Sequence, residues 1–167
     1  MSPIDALIAQ RVQAALSCFD AVEAMPNPGA AIPCTIIVPI FNAAEHVRRC
    51  LASLIRYIEP RHTILLADDC STDANLAAEL LAFSSEHRHV KYVRRDKNLG
   101  YLDNVNAALA STTGDVVLLN SDTEIGPTFI ERLQRAAYCR ANIAAACPLS
   151  DNATLLSIAE SSHCAEA

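Results

Sequence analysis

The sequence predicts an α/β domain built on a doubly wound, mainly parallel sheet, with an additional helix at the N-terminus. First, short apolar runs alternate with segments of helical periodicity from residue 34 onward. Second, the runs are apolar throughout, which is typical of parallel strands covered by helices on both faces. Third, polar residues cluster directly after the strands, where ligands bind in such sheets. One pattern therefore predicts both the fold class and the place of a site.

Residues 1–25 are predicted to form an amphipathic helix, and residues 26–33 a stiff linker. Ser2 can cap this helix, and Pro3 suits its first position. Its apolar face consists of Ile4, Leu7, Ile8, Val12, Leu16, Phe19 and Val22. The linker contains Pro26, Pro28, Gly29 and Pro33, which are incompatible with a continuing helix. We expect the helix to dock on the domain that follows or to meet a partner.

The domain at residues 34–155 is predicted to alternate strand and helix, and residues 156–167 are predicted to form a tail. The apolar runs place strands at 35–38, 63–67, 90–93, 115–119 and 143–147. Apolar stripes at helical spacing place helices at 43–58, 73–87, 102–110 and 127–140. The carboxyl ends of the parallel strands should therefore meet at one edge of the sheet.

Composition and charge exclude several classes of protein. Of 167 residues, 51% are hydrophobic and 19% are charged, which is typical of a globular domain. A net charge of −6 without a broad basic face disfavours nucleic-acid binding. The seven cysteines are odd in number and lack C-x-x-C spacing, which argues against a disulfide framework or a zinc site. No signal peptide or long apolar run is present, so we expect a cytoplasmic chain, with peripheral membrane attachment left open.

Asp68 and Asp69 follow the second predicted strand as adjacent carboxylates. Such a pair is unfavourable unless hydrogen bonds or a ligand use it. One of the two could accept a hydrogen bond from a nucleobase N–H. The alternative is local: Ser71 or Asp73 caps the next helix, and an aspartate of the pair accepts from turn amides. The residues alone do not favour either interpretation over the other.

Two further polar segments precede and follow the fourth predicted strand. Asp122, with oxygen-bearing neighbours, suits a hard cation such as Mg²⁺ or Mn²⁺, although an ordinary acidic loop is the alternative. Gly100 allows close approach of a ligand to the backbone. Asn104 or Asn106 can offer an amide to a phosphate or a sugar, and a turn followed by a helix cap is the alternative there.

Four segments occur in a fixed order along the chain. They are T-I-I-V-P-I-F-N at 35–42, D-D-C-S-T-D at 68–73, N-L-G-Y-L-D-N-V-N at 98–106 and G-D-V-V-L-L-N-S-D-T-E at 114–124. Together they resemble glycosyltransferase family 2, whose members have the GT-A fold. They are similar to its V-P-x-Y-N, D-D-x-S-x-D, N-x-G and D-x-D segments, in the form of a rhamnosyltransferase-like branch. The resemblance covers residues 34–155, a partial GT-A domain.

The resemblance implies roles for individual residues. The nucleotide-binding positions are Pro39, Phe41, Asn42, Asp68, Asp69, Gly100, Asn106 and Ser121. Asp69 would accept a hydrogen bond from the base, with Phe41 nearby and Asp68 supporting the loop. Asp122 and Asn120 would bind a divalent cation, Mn²⁺ or Mg²⁺. The implied reaction moves a sugar, with inversion, from a UDP- or dTDP-sugar to a hydroxyl of a saccharide or other acceptor.

The sequence departs from the family pattern in two ways. Asn120 occupies the first acidic position of D-x-D, and no later segment matches the part that supplies the acceptor site and the catalytic base. We therefore expect a chain truncated after the nucleotide-binding half, which binds donor and by itself transfers sugar very slowly or not at all. Alternatives are a non-catalytic or degenerate nucleotide-sugar-binding module and, more distantly, a sugar-phosphate nucleotidyltransferase. Self-association or further domains remain open.

Overall fold

The computed structural model describes residues 32–148 and residue 150. The predicted N-terminal helix, nearly all of the linker and the predicted tail lie outside these residues. The strands are β1 (Cys34–Ile40), β2 (Thr63–Asp68), β3 (Val90–Arg94) and β4 (Asp115–Leu118). The helices are α1 (Ala44–Tyr57), α2 (Ala74–Glu86), α3 (Tyr101–Leu109) and α4 (Phe129–Tyr138). The first four predicted strands and all four predicted domain helices are thus confirmed, with no end shifted by more than two residues.

The chain divides into two compact units, of which residues 32–129 hold the whole sheet. The strand order is β3-β2-β1-β4, and every neighbouring pair is parallel. The chain winds outward from β1 to β3 and then returns to place β4 on the other side of β1. The predicted doubly wound α/β sheet is therefore confirmed, with its switch point between β1 and β4.

Helices cover both faces of this sheet. Ile37, Leu65 and Ala67 form a buried cluster with Ala108 of α3, which packs against β1 and β2. The alternate strand residues, including Ile36 and those at positions 38, 64 and 66, are also fully buried. Burial on both faces explains why the strands are continuously apolar in sequence.

The second unit contributes most of α4 and residues 139–148 to the described part of the chain. The prediction of a fifth strand at 143–147 is wrong, because these residues form no strand. Three of the five are alanines, and alanine is depleted in strands because its side chain offers little to pack across a sheet. In the described residues, every helix is too short or too polar to cross a membrane.

Candidate functional site

A cleft opens at the carboxyl edge of the sheet, where the sequence places its polar segments. It is lined by Pro39, Ile40, Phe41, Asp69, Asn98, Gly100, Tyr101 and Asn104. These residues come from the end of β1, the segment after β2, and the start of α3. Four of the predicted nucleotide-binding residues thus lie together, namely Pro39, Phe41, Asp69 and Gly100. Phe41 is 47% exposed, so its side chain is accessible to a ligand.

Asp68 is fully buried at the end of β2. Its carboxylate accepts hydrogen bonds from the Ser71 amide at 2.8 Å, the Tyr92 hydroxyl at 2.7 Å and the Arg94 guanidinium at 2.8 Å. Burial alone would raise the pKa of the Asp68 carboxyl, but hydrogen bonds from Ser71 and Tyr92 and the charge of Arg94 hold that pKa below its usual range. Asp68 therefore joins β2, β3 and the following turn, and it does not line the cleft.

Asp69 binds the segment that opens α3. Its two carboxylate oxygens accept hydrogen bonds from the backbone amides of Leu99 and Gly100, each at 2.8 Å. Gly100 is the N-cap of α3 and adopts φ 83° and ψ 161°, a conformation that L side chains rarely reach. A Cβ atom built there meets nothing within 4 Å, so the backbone conformation explains the glycine, and the space beside it is open.

Asn42 joins the loops that follow β1 and β2. Its side-chain oxygen accepts hydrogen bonds from the backbone amides of Thr72 at 2.8 Å and Asp73 at 3.3 Å. The backbone amide of Asn42 donates to the Ser71 hydroxyl at 2.9 Å. Asp73 in turn caps α2 by accepting from the amides of Asn75 and Leu76. The local alternative proposed for residues 68–73, helix capping and turn stabilisation, is therefore present in the structure.

Asn104, not Asn106, lies in the cleft. The Asn104 side chain is buried, donates to the Ala67 carbonyl at 2.8 Å and accepts from the Arg95 guanidinium at 3.0 Å. Asn106 is exposed and outside the cleft lining. Residues two apart on a helix point about 200° apart, so both cannot face the same cleft. Because α3 begins directly after the Gly100 N-cap, the position of this cap determines which helix residues face the cleft.

The loop at residues 120–125 lies beside the cleft and is held by α1. The Tyr101 hydroxyl donates to the Asn120 side-chain oxygen at 3.3 Å, which connects this loop to the cleft wall. The Cys50 thiol contacts the Asn120 carbonyl at 3.8 Å. Burial, with a contribution from the Asp122 and Glu124 carboxylates, raises the pKa of Cys50 to about 12, so the thiol stays protonated and can donate.

This loop carries Asn120 and Asp122, the two residues that the sequence assigns to a hard cation. Asp122 is exposed, whereas Glu124 pairs with Arg49 at 3.5 Å. Among the described residues, no group of three or more His, Cys, Asp and Glu side chains could hold a metal. Mg²⁺ in particular is commonly bound by one or two carboxylates together with substrate phosphates and water. The residue types of Asp122 and Asn120 suit that mode, in which a bound diphosphate completes the set. Asn120, Ser121 and Asp122 all lie outside the cleft lining, and the Tyr101–Asn120 hydrogen bond is what connects them to it.

Sequence reasoning missed several residues of this site. Tyr101 and Asn98 line the cleft, and Ser53 of α1 binds the 120–125 loop. Tyr101 directly follows the Gly100 cap, so its place at the start of α3 could have indicated it. Ser53 looks like an ordinary helix residue, and no sequence signal indicates its partner far along the chain.

The chain has recognisable relatives in sequence. Residues 35–162 match the family described as "Glycosyl transferase family 2". An undecaprenyl-phosphate 4-deoxy-4-formamido-L-arabinose transferase from Sodalis glossinidius is 31% identical over 108 residues, which cover 62% of this chain and 33% of that protein. Glycosyltransferase GlyA from Streptococcus pneumoniae is 31% identical over 103 residues, covering 60% of this chain and 14% of that protein. The matched region therefore spans a third or less of these relatives.

Solved structures give the same result. The crystal structure of S. aureus TarS 1-349 has a TM-score of 0.52 and 27% identity, covering 64% of this chain and 31% of that chain. Its complex with UDP-GlcNAc has a TM-score of 0.53 and 25% identity, covering 60% of this chain and 29% of that chain. A mannosyltransferase from Pyrobaculum calidifontis in complex with GDP-Man and Mn²⁺ has a TM-score of 0.55 over 77% of this chain and 43% of that chain; at 21% identity it shows the fold alone. With the family match extending over residues 35–162, the chain belongs to glycosyltransferase family 2 and has its GT-A fold.

Proposed function

We propose that this chain forms the donor-binding part of a glycosyltransferase that moves a sugar, with inversion, from a nucleotide diphosphate sugar to an acceptor hydroxyl. The main support is the cleft in which Asp69 and the start of α3 lie next to the Asp122 loop, joined to it by the Tyr101–Asn120 hydrogen bond. The likeness to TarS, solved with UDP-GlcNAc, supports a nucleotide-sugar donor.

The base of the donor is assigned to the end of the cleft near Asp69 and Phe41. A carboxylate has about four acceptor positions, and the amides of Leu99 and Gly100 use two of them. The remaining positions can accept the N3–H of uracil or thymine, the bases of a UDP- or dTDP-sugar. The exposed Phe41 ring offers an apolar surface to the same base.

The diphosphate is assigned to the side of the cleft near Tyr101 and the Asp122 loop. Asp122 and the Asn120 oxygen would hold the divalent cation, Mn²⁺ or Mg²⁺, beside the phosphates. When bound, such a cation supplies positive charge that stabilises a departing diphosphate. Tyr101 would hold Asn120 in position through its 3.3 Å hydrogen bond.

A non-catalytic nucleotide-sugar-binding module is the second candidate. Asn120 stands where the family pattern has an acid, which lowers the local negative charge available to a cation. Both candidates predict donor binding, and only the enzyme predicts transfer. A transfer assay with a panel of nucleotide sugars and simple hydroxyl acceptors separates them, because the binding module would release no nucleoside diphosphate.

The donor assignment is tested by calorimetric titration with UDP, dTDP and GDP, with and without Mn²⁺. We expect UDP and dTDP to bind more tightly than GDP. Asp69→Ala should weaken UDP binding about tenfold even without metal, because a hydrogen bond and the support of Gly100 are lost. Glu86→Ala, which removes an equal charge at the end of α2, should bind as the wild type does. Wild-type affinity in Asp69→Ala would contradict the base assignment, and no nucleotide binding at all would contradict the proposal.

A further inference from the structure

We propose that Ser53 of α1 is a positioning residue that holds the 120–125 loop so that Asp122 can bind a cation. The inference rests on the proposed function, since it assigns a supporting residue to the same site. Ser53 lies 72 positions from Ile125 along the chain, and the contact forms only when α1 packs beside the end of β4.

The hydroxyl of Ser53 makes two hydrogen bonds in a buried setting. Its oxygen accepts from the backbone amide of Ile125 at 3.1 Å, and its proton is donated to the Cys50 carbonyl at 2.8 Å. A hydroxyl can do both at once. Ser53 is 8% exposed and Ile125 is 6% exposed, so water is excluded from replacing either bond. The amide of Ile125 therefore depends on this one side chain.

The other end of the loop is also fixed. The Leu119 amide donates to the Ile37 carbonyl at 2.9 Å, and the Cys50 thiol contacts the Asn120 carbonyl at 3.8 Å. Within the loop, the Thr123 amide donates to the Asn120 carbonyl at 3.1 Å. Asp122 lies between the two anchored ends, exposed and on a short turn.

This arrangement separates the two halves of the site. Removing the Ser53 hydroxyl leaves the buried Ile125 amide without an acceptor. Opening of the loop then becomes more favourable, because it lets this amide bind water. A loosened loop places Asp122 less accurately, which lowers the affinity for a cation whose ligands must converge. Asp69 is held by different bonds, to Leu99 and Gly100, so base binding should not change.

The experiment compares Ser53→Ala with Ser84→Ala. Ser84 of α2 is the matched control, because its hydroxyl also donates to the carbonyl three residues earlier, at 2.9 Å, but it is half-buried on a different helix and this bond stays within α2. In Ser53→Ala we expect Mn²⁺-supported UDP binding to weaken about tenfold, while metal-free UDP binding stays within about twofold of wild type. Amide hydrogen exchange at residues 120–126 should accelerate. Ser53→Thr, which keeps the hydroxyl, should recover most of the loss, and Ser84→Ala should show none.

The outcomes separate the inference from the proposed function. If wild-type UDP binding gains from Mn²⁺ and Ser53→Ala keeps the same gain and the same exchange rates, the role of Ser53 is overturned. Equal loss of metal-free and metal-supported binding would also overturn it, since that indicates general destabilisation. If Ser53→Ala does not fold, Ser53→Cys keeps the volume with a weaker acceptor and should show a smaller loss of the same selective kind. A wild-type protein that gains nothing from Mn²⁺ refutes the cation site itself, and the Ser53 role with it.

Discussion

The loops that follow β2 and β4 are both acidic and both lie at the carboxyl edge of the sheet, but their acidic side chains differ in how far they are hydrogen-bonded within the protein. In residues 68–73, the carboxylates of Asp68, Asp69 and Asp73 all accept hydrogen bonds from the protein. In residues 120–125, the backbone is anchored at its two ends while Asp122 stays exposed between them. In the 68–73 loop, the acidic side chains themselves make the stabilising hydrogen bonds. In the 120–125 loop, residues of α1 hold the backbone, and the Asp122 side chain takes no part in that support.

The difference shows what burial demands of a charge. A carboxylate taken out of water must be compensated by hydrogen bonds or opposite charge, and Asp68 has both. An exposed carboxylate has no such requirement, because water solvates it, and it remains accessible to a ligand. Asp69 stands between these cases, because it is buried and hydrogen-bonded but also lines the cleft. The two loops should therefore respond in opposite ways to removal of their acids.

The largest expected effect is loss of stability in Asp68→Ala. The change leaves the Ser71 amide and the Tyr92 hydroxyl without an acceptor and the Arg94 guanidinium without a counter-charge. We expect the free energy of unfolding, measured in urea, to fall by about 2–4 kcal/mol. Arg94 is 38% exposed and can still reach water, which keeps the cost below that of a fully buried pair. Glu86→Ala, at an exposed acid, should change stability by less than about 0.5 kcal/mol. A cost under about 1 kcal/mol for Asp68→Ala would remove the contrast between the loops.

Acid should weaken the same loop in a specific pH window. Folding lowers the pKa of Asp68 below its unfolded value of about 3.9, so its contribution to stability is fully present above that value and is lost as pH falls through the folded pKa. The difference in unfolding free energy between wild type and Asp68→Asn should therefore be constant above about pH 5 and shrink below about pH 4. Urea titrations across this range measure it. If the difference in unfolding free energy does not vary with pH, Asp68 stabilises the fold through the shape of its side chain and not through its charge.

A smaller loss of stability is expected at the glycine that Asp69 holds. Gly100→Ala should cost about 1–2 kcal/mol, because alanine at φ 83° is strained even though its Cβ has open space. Gly126 is the matched control, since its Cβ would also meet nothing within 4 Å and its φ lies outside the left-handed region. Gly126→Ala should change stability by no more than about 0.5 kcal/mol. Equal costs at the two positions would show that the cap conformation is not what requires Gly100.

The sequence predicts the fold well where burial is complete. Parallel strands covered on both faces appear as continuous apolar runs, so β1 and β2 are recognisable from residues such as Ile36 and Ile64. The same rule failed at 143–147, where a run of alanines is apolar but has too little side chain to pack as a strand.

The site is only partly predictable for a different reason. Pro39, Phe41 and Asp69 could be placed near one cleft because topology alone brings strand ends together. Arg94 could not be paired with Asp68 without the β2–β3 register, which sets these two residues opposite each other. Ser53 belongs to a helix whose contact with the 120–125 loop depends on tertiary packing. Contacts fixed by register or by helix packing leave no local mark in the sequence.

The smallest expected effect on stability, and the largest contrast in function, is at Asp122. Asp122→Ala removes an exposed carboxylate, so the free energy of unfolding should change by less than about 0.5 kcal/mol. Its negative charge lies near that of Glu124, since both carboxylates act on the Cys50 thiol, whose pKa is raised chiefly by burial. Removing one of two neighbouring like charges relieves repulsion, which is a second reason not to expect destabilisation.

Binding should respond differently at the same position. Mn²⁺ should strengthen UDP binding to the wild type, and this gain should largely disappear in Asp122→Ala, while metal-free UDP binding persists through Asp69. Asp122→Asn keeps the shape and one oxygen but not the charge, so its gain from Mn²⁺ should be intermediate. If Asp122→Ala instead costs as much stability as Asp68→Ala, the 120–125 loop is also built from its acid, and the division between a structural loop and a ligand-binding loop fails. If stability and the gain from Mn²⁺ are both unchanged, the division survives, but the cation must be held by other residues.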